Sequence, residues 1–407
     1  MASIPHLLAF PISAPARDLN PAGPQREPAR RGCCPRRRAL LESAAEQHEG
    51  ESRMDTRKLN RRQAVALLGG AAALGAAGPA FGQAEPAKPA QLVVNHSGGS
   101  MGTAMRKAFF NGFEKKYGIK VVETSPVDFG KLRAMVDSGN VEWDLTEIGG
   151  QDAIRAGKAN LLDKVDPKVV DRSKYPATAQ NPFVFASSVY TTIIGYRTDV
   201  FKGGTQPKSW ADWWDVKKFP GARSMRNHPT DNLEFALIAD GVPKDKLYPI
   251  DFDRAFKKLD QIKPHVTVWW STGQQPAQLL LDKEVVLATG WNGRFYDIIK
   301  KGAPVEIEWN EGALKQGSFA IPRGAKSPYW ANKMLAELAI PQQQAVYASE
   351  LGYPGLNLES LNFVDAKVKP YLPTNYLDKQ FWISDEWYAE NGTKAAELWN
   401  AWMLKKA

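Results

Sequence analysis

Between Leu92 and Thr124 the chain spells a unit that few folds accommodate. A short apolar run, Leu92 to Val94, ends in the polar, glycine-rich "NHSGG". Apolar residues then recur at Met105, Ala108, Phe109 and Phe113, the spacing of one helical face. Gly118 stops that pattern, and "IKVVETS" reads as a second strand. Strand, helix and strand in this order predict the opening of a parallel α/β sheet. The loop after the first strand leads into a helix N-terminus, whose free N–H groups suit an anion or a polar ligand atom.

The pattern continues. "KLRAMVDSG" and "AIRAGKANLLDKV" read as helices around a strand in "WDLTEIGG", and "VYTTIIGYRTDVF" as a further strand. After Gly203 the texture becomes aromatic and punctuated by Pro and Gly. A second α/β region follows: helices in "LEFALIADG", "DFDRAFKKLDQI" and "QPAQLLLDKEV", and strands in "VTVWW" and "VLATGWNG". "PVEIEW" and "GSFAIP" read as a pair of strands. "YWANKMLAELAI" and "PQQQAVYASELG" read as helices, and the tail as a long helix with Trp387, Leu398, Trp399 and Trp402 on its apolar side. Two α/β regions imply two lobes with a cleft. Ligands in such sheets sit beyond the carboxyl ends of the strands. The loops "NHSGG", "EIGGQD", "RNHPTDN", "WWSTGQQ", "TGWNGR" and "LKQGS" are therefore the expected ligand-binding surface.

A basic chain invites a nucleic-acid reading, but the charge is unevenly placed. Residues 1–84 hold 12 of the 53 basic residues and 7 of the 44 acidic ones, hence five of the nine net positive charges. No basic stripe with interleaved aromatics follows Ala84. Within that leader, Arg61 and Arg62 precede an uncharged segment, Ala64 to Ala77, and then small residues at Gly82 and Ala84. The apolar segment is about 14 residues, roughly 21 Å as a helix, too short for a bilayer core of about 30 Å. Residues 54–84 therefore read as a twin-arginine signal peptide cut after Ala84, and the product as periplasmic. Residues 1–53 are rich in Arg, Pro and Ala, lack periodicity and read as disordered. Either Met54 is the true start, or the signal has a long n-region. Both cysteines, Cys33 and Cys34, fall in the leader, so the exported product is expected to carry no thiol chemistry.

Several stretches resemble the spermidine/putrescine-binding family of bacterial periplasmic solute-binding proteins, the capture subunits of ABC importers. They are "SWADWWDVKKFPG" (209–221), "LLLDKEVVLATGWNGRFYDIIKKGAPVEIEW" (279–309), "GSFAIPRGAK" (317–326) and "ELGYPGLN" (350–357), and the resemblance spans nearly all of the chain from Gln91. It implies the two-lobed type II α/β binding fold, with lobe one at 91–194 plus 315–350 and lobe two at 197–312 plus 353–407. It also implies an aromatic box for the methylene chain of a polyamine and carboxylates for its ammonium ends, through cation–π attraction and charge-assisted hydrogen bonds. Trp291 matches one box aromatic. Asp231 falls near the acidic pair of the lobe-two loop, whose other position reads Asn227 or His228.

The departures are as telling. Lys315 and Gly317 stand where the family places a box tryptophan and a gripping aspartate. His96, followed by Ser97, stands where it places another tryptophan, and the tyrosine-rich loop reads "GGQDA", with Gln151. Asn95, Ser271 and Asn292 belong to the same loops, and Glu386 and Trp387 start the tail helix. A polyamine-like importer subunit is thus expected, with the ligand altered toward a zwitterion or an anion, because an ammonium beside Lys315 would cost several kcal/mol if desolvated. Structural readings compete at each position: core packing for Trp291, a solvated rim charge for Lys315, hydrogen-bonded loop residues for His96 and His228, and a capped helix start for Glu386 and Trp387. The expected partners are the solute and the permease subunits, with no cofactor, metal or nucleic acid, and the expected state is a monomer. An exported enzyme is the rival class; no G-x-S-x-G or H-E-x-x-H occurs, but a two-carboxylate hydrolase has no such motif to find. An iron binder needs clustered Tyr or His near the cleft, and Tyr347 and Tyr353 lie outside the cleft loops. Converting Arg61 and Arg62 to Lys should leave precursor in the cytoplasm, since recognition needs the guanidinium pair rather than charge alone. Fractionation checks this: efficient export of the double variant removes the twin-arginine assignment.

Overall fold

Strand β1 (Gln91–Asn95) has parallel strands on both sides, β2 (Lys120–Thr124) and β3 (Leu145–Ile148), as the strand–helix–strand spacing predicts. The computed structural model describes residues 85–405; the expectations for the leader, from Cys33 and Cys34 to the cut after Ala84, lie outside the described residues. The remaining strands are β4 (Leu162–Asp163), β5 (Phe185–Arg197), β6 (Arg223–Arg226), β7 (Val266–Trp270), β8 (Leu287–Trp291), β9 (Val305–Pro322) and β10 (Phe381–Trp382). The sheet runs β2-β1-β3-β9-β5-β8-β6-β7, with β4 and β10 paired to β9. β6 is parallel to both β7 and β8. Two parallel triplets thus flank a central pair, β5 and β9.

That central pair is antiparallel and long, 13 residues against 18. Its register runs from Phe185 opposite Phe319 to Arg197 opposite Val305. The first part of β5 lies beside the β9 segment that pairs with β3, and its last part also pairs with β8. The two segments "PVEIEW" and "GSFAIP" are therefore one strand, where sequence reading expects two. The turn-like "NEG" between them is a bulge: Thr192 faces Ala313 while Ile194 faces Glu308, and Glu311 takes a positive φ of 59°. Trp210 fastens the bulge, its backbone and indole N–H groups donating to Glu311 Oε2 and O at 2.8 and 2.9 Å. A bulge re-aims side chains and increases twist without ending the strand.

Each triplet carries its own core. Met105, Phe109 and Phe113, on the helical face read from sequence, pack with Leu92, Val94 and Phe319. The helix is interrupted by a π turn at Arg106–Phe110 between Ser100–Met105 and Asn111–Tyr117. On the other side Trp210, Trp213, Leu233, Phe235 and Leu259 form a second core, which Trp399 and Trp402 of the tail helix join. Leu398 departs from the expected apolar side and is exposed, because the helix Asp385–Leu404 buries only one narrow stripe. Among the described residues no helix is long and apolar enough to cross a membrane.

Phe295 is fully buried and seals the contact between β5 and β8. A Cβ on Gly195 or Gly290 would come within 2.7 or 2.5 Å of its ring, so both strands need glycine at these positions. Phe295→Ala should lower the unfolding free energy by about 3–5 kcal/mol, the usual cost of a phenylalanine-sized core cavity. Urea denaturation measures it, and a loss under 1 kcal/mol would mean the site collapses without strain.

Candidate functional site

β6 ends at Arg226, and the chain then makes an unusual helix start. His228 caps the helix Pro229–Ala239, its Nδ1 accepting the Thr230 N–H at 3.1 Å. Burial, then the nearby Arg226 charge, pushes the His228 pKa down to about 3, so the ring is neutral and Nδ1 is free to accept. Asp231 follows with φ 80° and ψ −51°. A non-glycine residue there costs of order 1–3 kcal/mol, which the surroundings must offset. Its N–H donates to Glu234 Oε2 at 2.9 Å, and its carboxylate is fully buried. Three groups meet that carboxylate: Lys315 Nζ in an ion pair, the Thr192 hydroxyl at 3.0 Å and Arg226 Nη1 at 3.5 Å. Burial alone would raise the Asp231 pKa; Lys315 and Arg226 outweigh it and hold the carboxyl below its usual range.

Above this pair lies an aromatic frame. The Trp291 ring centroid is 5.9 Å from Trp270 and 6.1 Å from Tyr190, both edge-on. The Arg226 guanidinium stands 5.8 Å from Trp270 and 5.6 Å from Trp291, within cation–π range of both. It has five N–H donors, and Asp231 is its one carboxylate contact; a quarter of the side chain is exposed, at 24%. Arg294 approaches Trp291 at 5.9 Å while donating to Ser100 Oγ at 2.6 Å and Gly98 O at 3.4 Å. Tyr190 also stacks toward Tyr353, which meets Tyr347. Trp291 Nε1 and the Tyr347 hydroxyl are buried without a protein partner. On β3, Glu147 Oε2 accepts the Ser97 N–H and hydroxyl at 2.7 and 2.5 Å. Burial raises the Tyr190 and Tyr347 pKa values well above the ordinary phenol range, with the Glu147 charge next.

Of the residues singled out from sequence, Asp231, Trp291, Lys315 and His228 come together, and Ser97 is held by Glu147. Lys315 is not a solvated rim charge but is bonded to the buried Asp231 over the β5–β9 pair. Three others carry structural loads. Asn95 is buried, donating to Thr124 and Pro126 and accepting from Thr146. His96 is buried against Glu123 at 2.8 Å. Asn292 clamps Thr191 N–H and Gly352 O. Asn227 accepts the Trp399 indole N–H, Trp387 packs on Tyr248 and Phe252, and Ser271 and Glu386 are exposed. Gln151 sits at the start of the helix Gly150–Lys158. Sequence reading missed Arg226, Glu147, Tyr190, Trp270 and Arg294. The loops "RNHPTDN" and "EIGGQD" contain the first two, each at the strand end. Tyr347 and Tyr353, expected outside the cleft, belong to the cluster, because Tyr190 brings them to Trp291.

Two parallel triplets joined by long antiparallel strands, with polar and aromatic residues gathered at the strand ends, is the construction of a two-lobed solute-binding protein. The chain belongs to the bacterial extracellular solute-binding proteins, the solute-capturing components of ABC importers: the family model of that description matches residues 108–374. It is 31% identical to a gamma-aminobutyric acid-binding protein of Pseudomonas aeruginosa, over 81% of this chain and 95% of that one. The identity to a spermidine/putrescine-binding periplasmic protein of Escherichia coli is 25%, over 70% and 83%. The solved structure of the Atu4243 GABA receptor superposes with a TM-score of 0.72 at 36% identity, covering 78% of this chain and 98% of that one. The polyamine relatives that sequence reading pointed to are thus the more distant of these.

One contact joins the two triplets at a distance from Trp291. Asp385 opens the tail helix and accepts the Gln151 N–H at the start of the helix Gly150–Lys158. A Cβ on Gly150 would fall 1.8 Å from Asp385 Oδ2, so glycine is required for this approach. Burial, then the neighbouring Glu386 charge, pushes the Asp385 pKa up to about 7, against the pull of Lys315 and the Gln151 N–H and with Asp152 adding to the push. A carboxyl whose pKa is raised by folding contributes stability below the usual aspartate range and loses it as pH rises through about 7. Asp385→Asn keeps an acceptor but does not titrate. Its unfolding midpoint relative to the unaltered protein should therefore climb between pH 5 and pH 8 and then level off. Glu234, also pushed up to about 7 by burial, is present in both proteins and cancels. A difference that stays flat across that range would count against the raised pKa.

Proposed function

We propose that the protein captures a small zwitterion of the ω-amino acid class in the periplasm and delivers it to an ABC permease, acting as a monomer. The observation that carries this reading is the unequal state of its two cleft cations. Asp231 neutralises Lys315, while Arg226 stands between Trp270 and Trp291 with one Asp231 oxygen, at 3.5 Å, as its carboxylate contact among the described residues. A planar guanidinium with free donors suits a carboxylate, which it binds in bidentate fashion. Trp291 and Tyr190 offer apolar faces to a short methylene chain. A polycation fits poorly here: the buried aspartate already holds two cations, and burial raises the pKa of Glu234. The names of the gamma-aminobutyric acid-binding relative and of the GABA receptor support the same class.

In this reading the lobes are 91–194 plus 315–350 and 197–312 plus 353–407, and β5 and β9 are the crossings between them. A ligand held by residues of both lobes favours the closed state by its differential affinity. The signal at 54–84 directs export, and the protein is a binder, not an enzyme.

Calorimetry with γ-aminobutyric acid, putrescine and spermidine tests the class. The amino acid should bind most tightly. Arg226→Ala should weaken it by about 2–5 kcal/mol, the range for removing one partner of a buried, hydrogen-bonded charge pair. Trp291→Ala should weaken it by about 1–3 kcal/mol through lost packing and cation–π attraction. Sub-micromolar spermidine binding by the unaltered protein, with no amino-acid binding, would overturn the reading and restore a polyamine importer.

A further inference from the structure

We propose that Glu147 is the specificity-determining residue for the ligand's ammonium group, acting from lobe one while Arg226 holds the carboxylate from lobe two. The assignment rests on the zwitterion reading for the carboxylate end, but the ammonium end has its own geometry. Glu147 lies at the carboxyl end of β3, one residue before the strand stops. Its Oε2 is held by two donors of Ser97, which fixes the carboxylate in place. No ion pair forms between Glu147 and any cation within 4.0 Å among the described residues, although Glu123 and Glu114 nearby are both paired with Arg106. The carboxylate is partly buried rather than splayed into solvent. A charge in that position without a counter-ion is costly, and a ligand ammonium would supply one.

The surroundings suit such a group. Tyr190, Tyr353 and Tyr347 pack in a row in that order, with ring centroids 5.5 and 6.3 Å apart. Aromatic faces beside a carboxylate attract an alkylammonium both through the ring quadrupole and through charge. The buried, unpartnered Tyr347 hydroxyl offers an additional acceptor. Arg226 stands 5.6 Å from Trp291, whose ring meets Tyr190 at 6.1 Å, and Ser97, which holds Glu147, is followed by Gly98, whose carbonyl accepts from Arg294 beside the same Trp291. The guanidinium of Arg294 is held by Ser100 and Gly98. A fixed carboxylate in lobe one and a fixed guanidinium in lobe two reject any ligand with a single charge, because closure would then desolvate one of them unpaired.

The test compares γ-aminobutyric acid, butyrate and putrescine by calorimetry on the unaltered protein, Glu147→Gln and Glu147→Asp. Glutamine keeps an acceptor for Ser97 but removes the charge. The expected result is a loss of at least 30-fold for γ-aminobutyric acid in Glu147→Gln, with butyrate bound no more weakly than by the unaltered protein and a smaller amino-acid loss in Glu147→Asp. Parallel losses for γ-aminobutyric acid and butyrate, or no loss for either, overturn the assignment; circular dichroism and thermal melting of both variants identify a folding defect as the cause of a parallel loss, and the assignment then rests on Glu147→Asp alone. If putrescine proves the tight ligand, the zwitterion reading falls, while Glu147 stands only if Glu147→Gln loses putrescine by the same factor. Unaltered protein that binds neither amine overturns both.

Discussion

The pairing of β5 with β9 is the constraint on which the rest of the molecule depends. Each parallel triplet could form its own small sheet, but these two strands join the triplets into one, and they do so with unequal lengths. The extra residues of β9 leave the pair as the bulge at Trp309–Gly312, fastened by Trp210. Downstream of the bulge, Lys315 is placed beside Tyr190 and Thr192, and so within reach of Asp231. Had β9 been two strands, as its sequence suggests, no such register would be imposed, and the lysine would be free to point to solvent.

Once Lys315 is fixed, the electrostatics of the site follow in order. A buried ammonium requires a buried acid, and Asp231 supplies it through a backbone conformation that aspartate tolerates only at a cost. That helix start is capped by a histidine kept neutral by burial and by Arg226. The pair then leaves Arg226 with a single oxygen of Asp231, at 3.5 Å, as its carboxylate contact among the described residues. Glu147, held by Ser97, makes no ion pair within 4.0 Å among the described residues. In the proposed reading a ligand that answers both charges would also favour closure, so that selectivity and closure would share one origin.

Much of the architecture was legible from the chain. Helical spacing at Met105, Phe109 and Phe113 and the glycine-ended strands point to the parallel strands, and the loops read at the strand ends contain Arg226, Glu147, Trp270, Trp291 and Arg294. The site was legible only in part. Trp291, Asp231 and Lys315 were found because a family pattern or a departure from one marked them. Asn95, His96 and Asn292 were drawn in by their loops, yet their side chains bond backbone and neighbours inside the sheet, which spacing does not reveal. Arg226 and Glu147 were overlooked for the opposite reason. Charged residues at strand ends are ordinary, and nothing in a linear sequence says which acid neutralises which base.

Arg226 and Lys315 make that last point physically. Both are cations near one buried aspartate, and a net charge count treats them alike. Lysine presents a compact ammonium on a flexible stem, which a single carboxylate and a hydroxyl satisfy, and Asp231 and Thr192 do so. Arginine presents a planar fork that one carboxylate oxygen at 3.5 Å cannot fill. Replacing Arg226 by lysine would leave the charge unchanged but remove the planar fork, so that nothing could be offered in bidentate fashion. The proposed ligand class therefore rests less on how many charges gather around Trp291 than on which of them the fold has already answered.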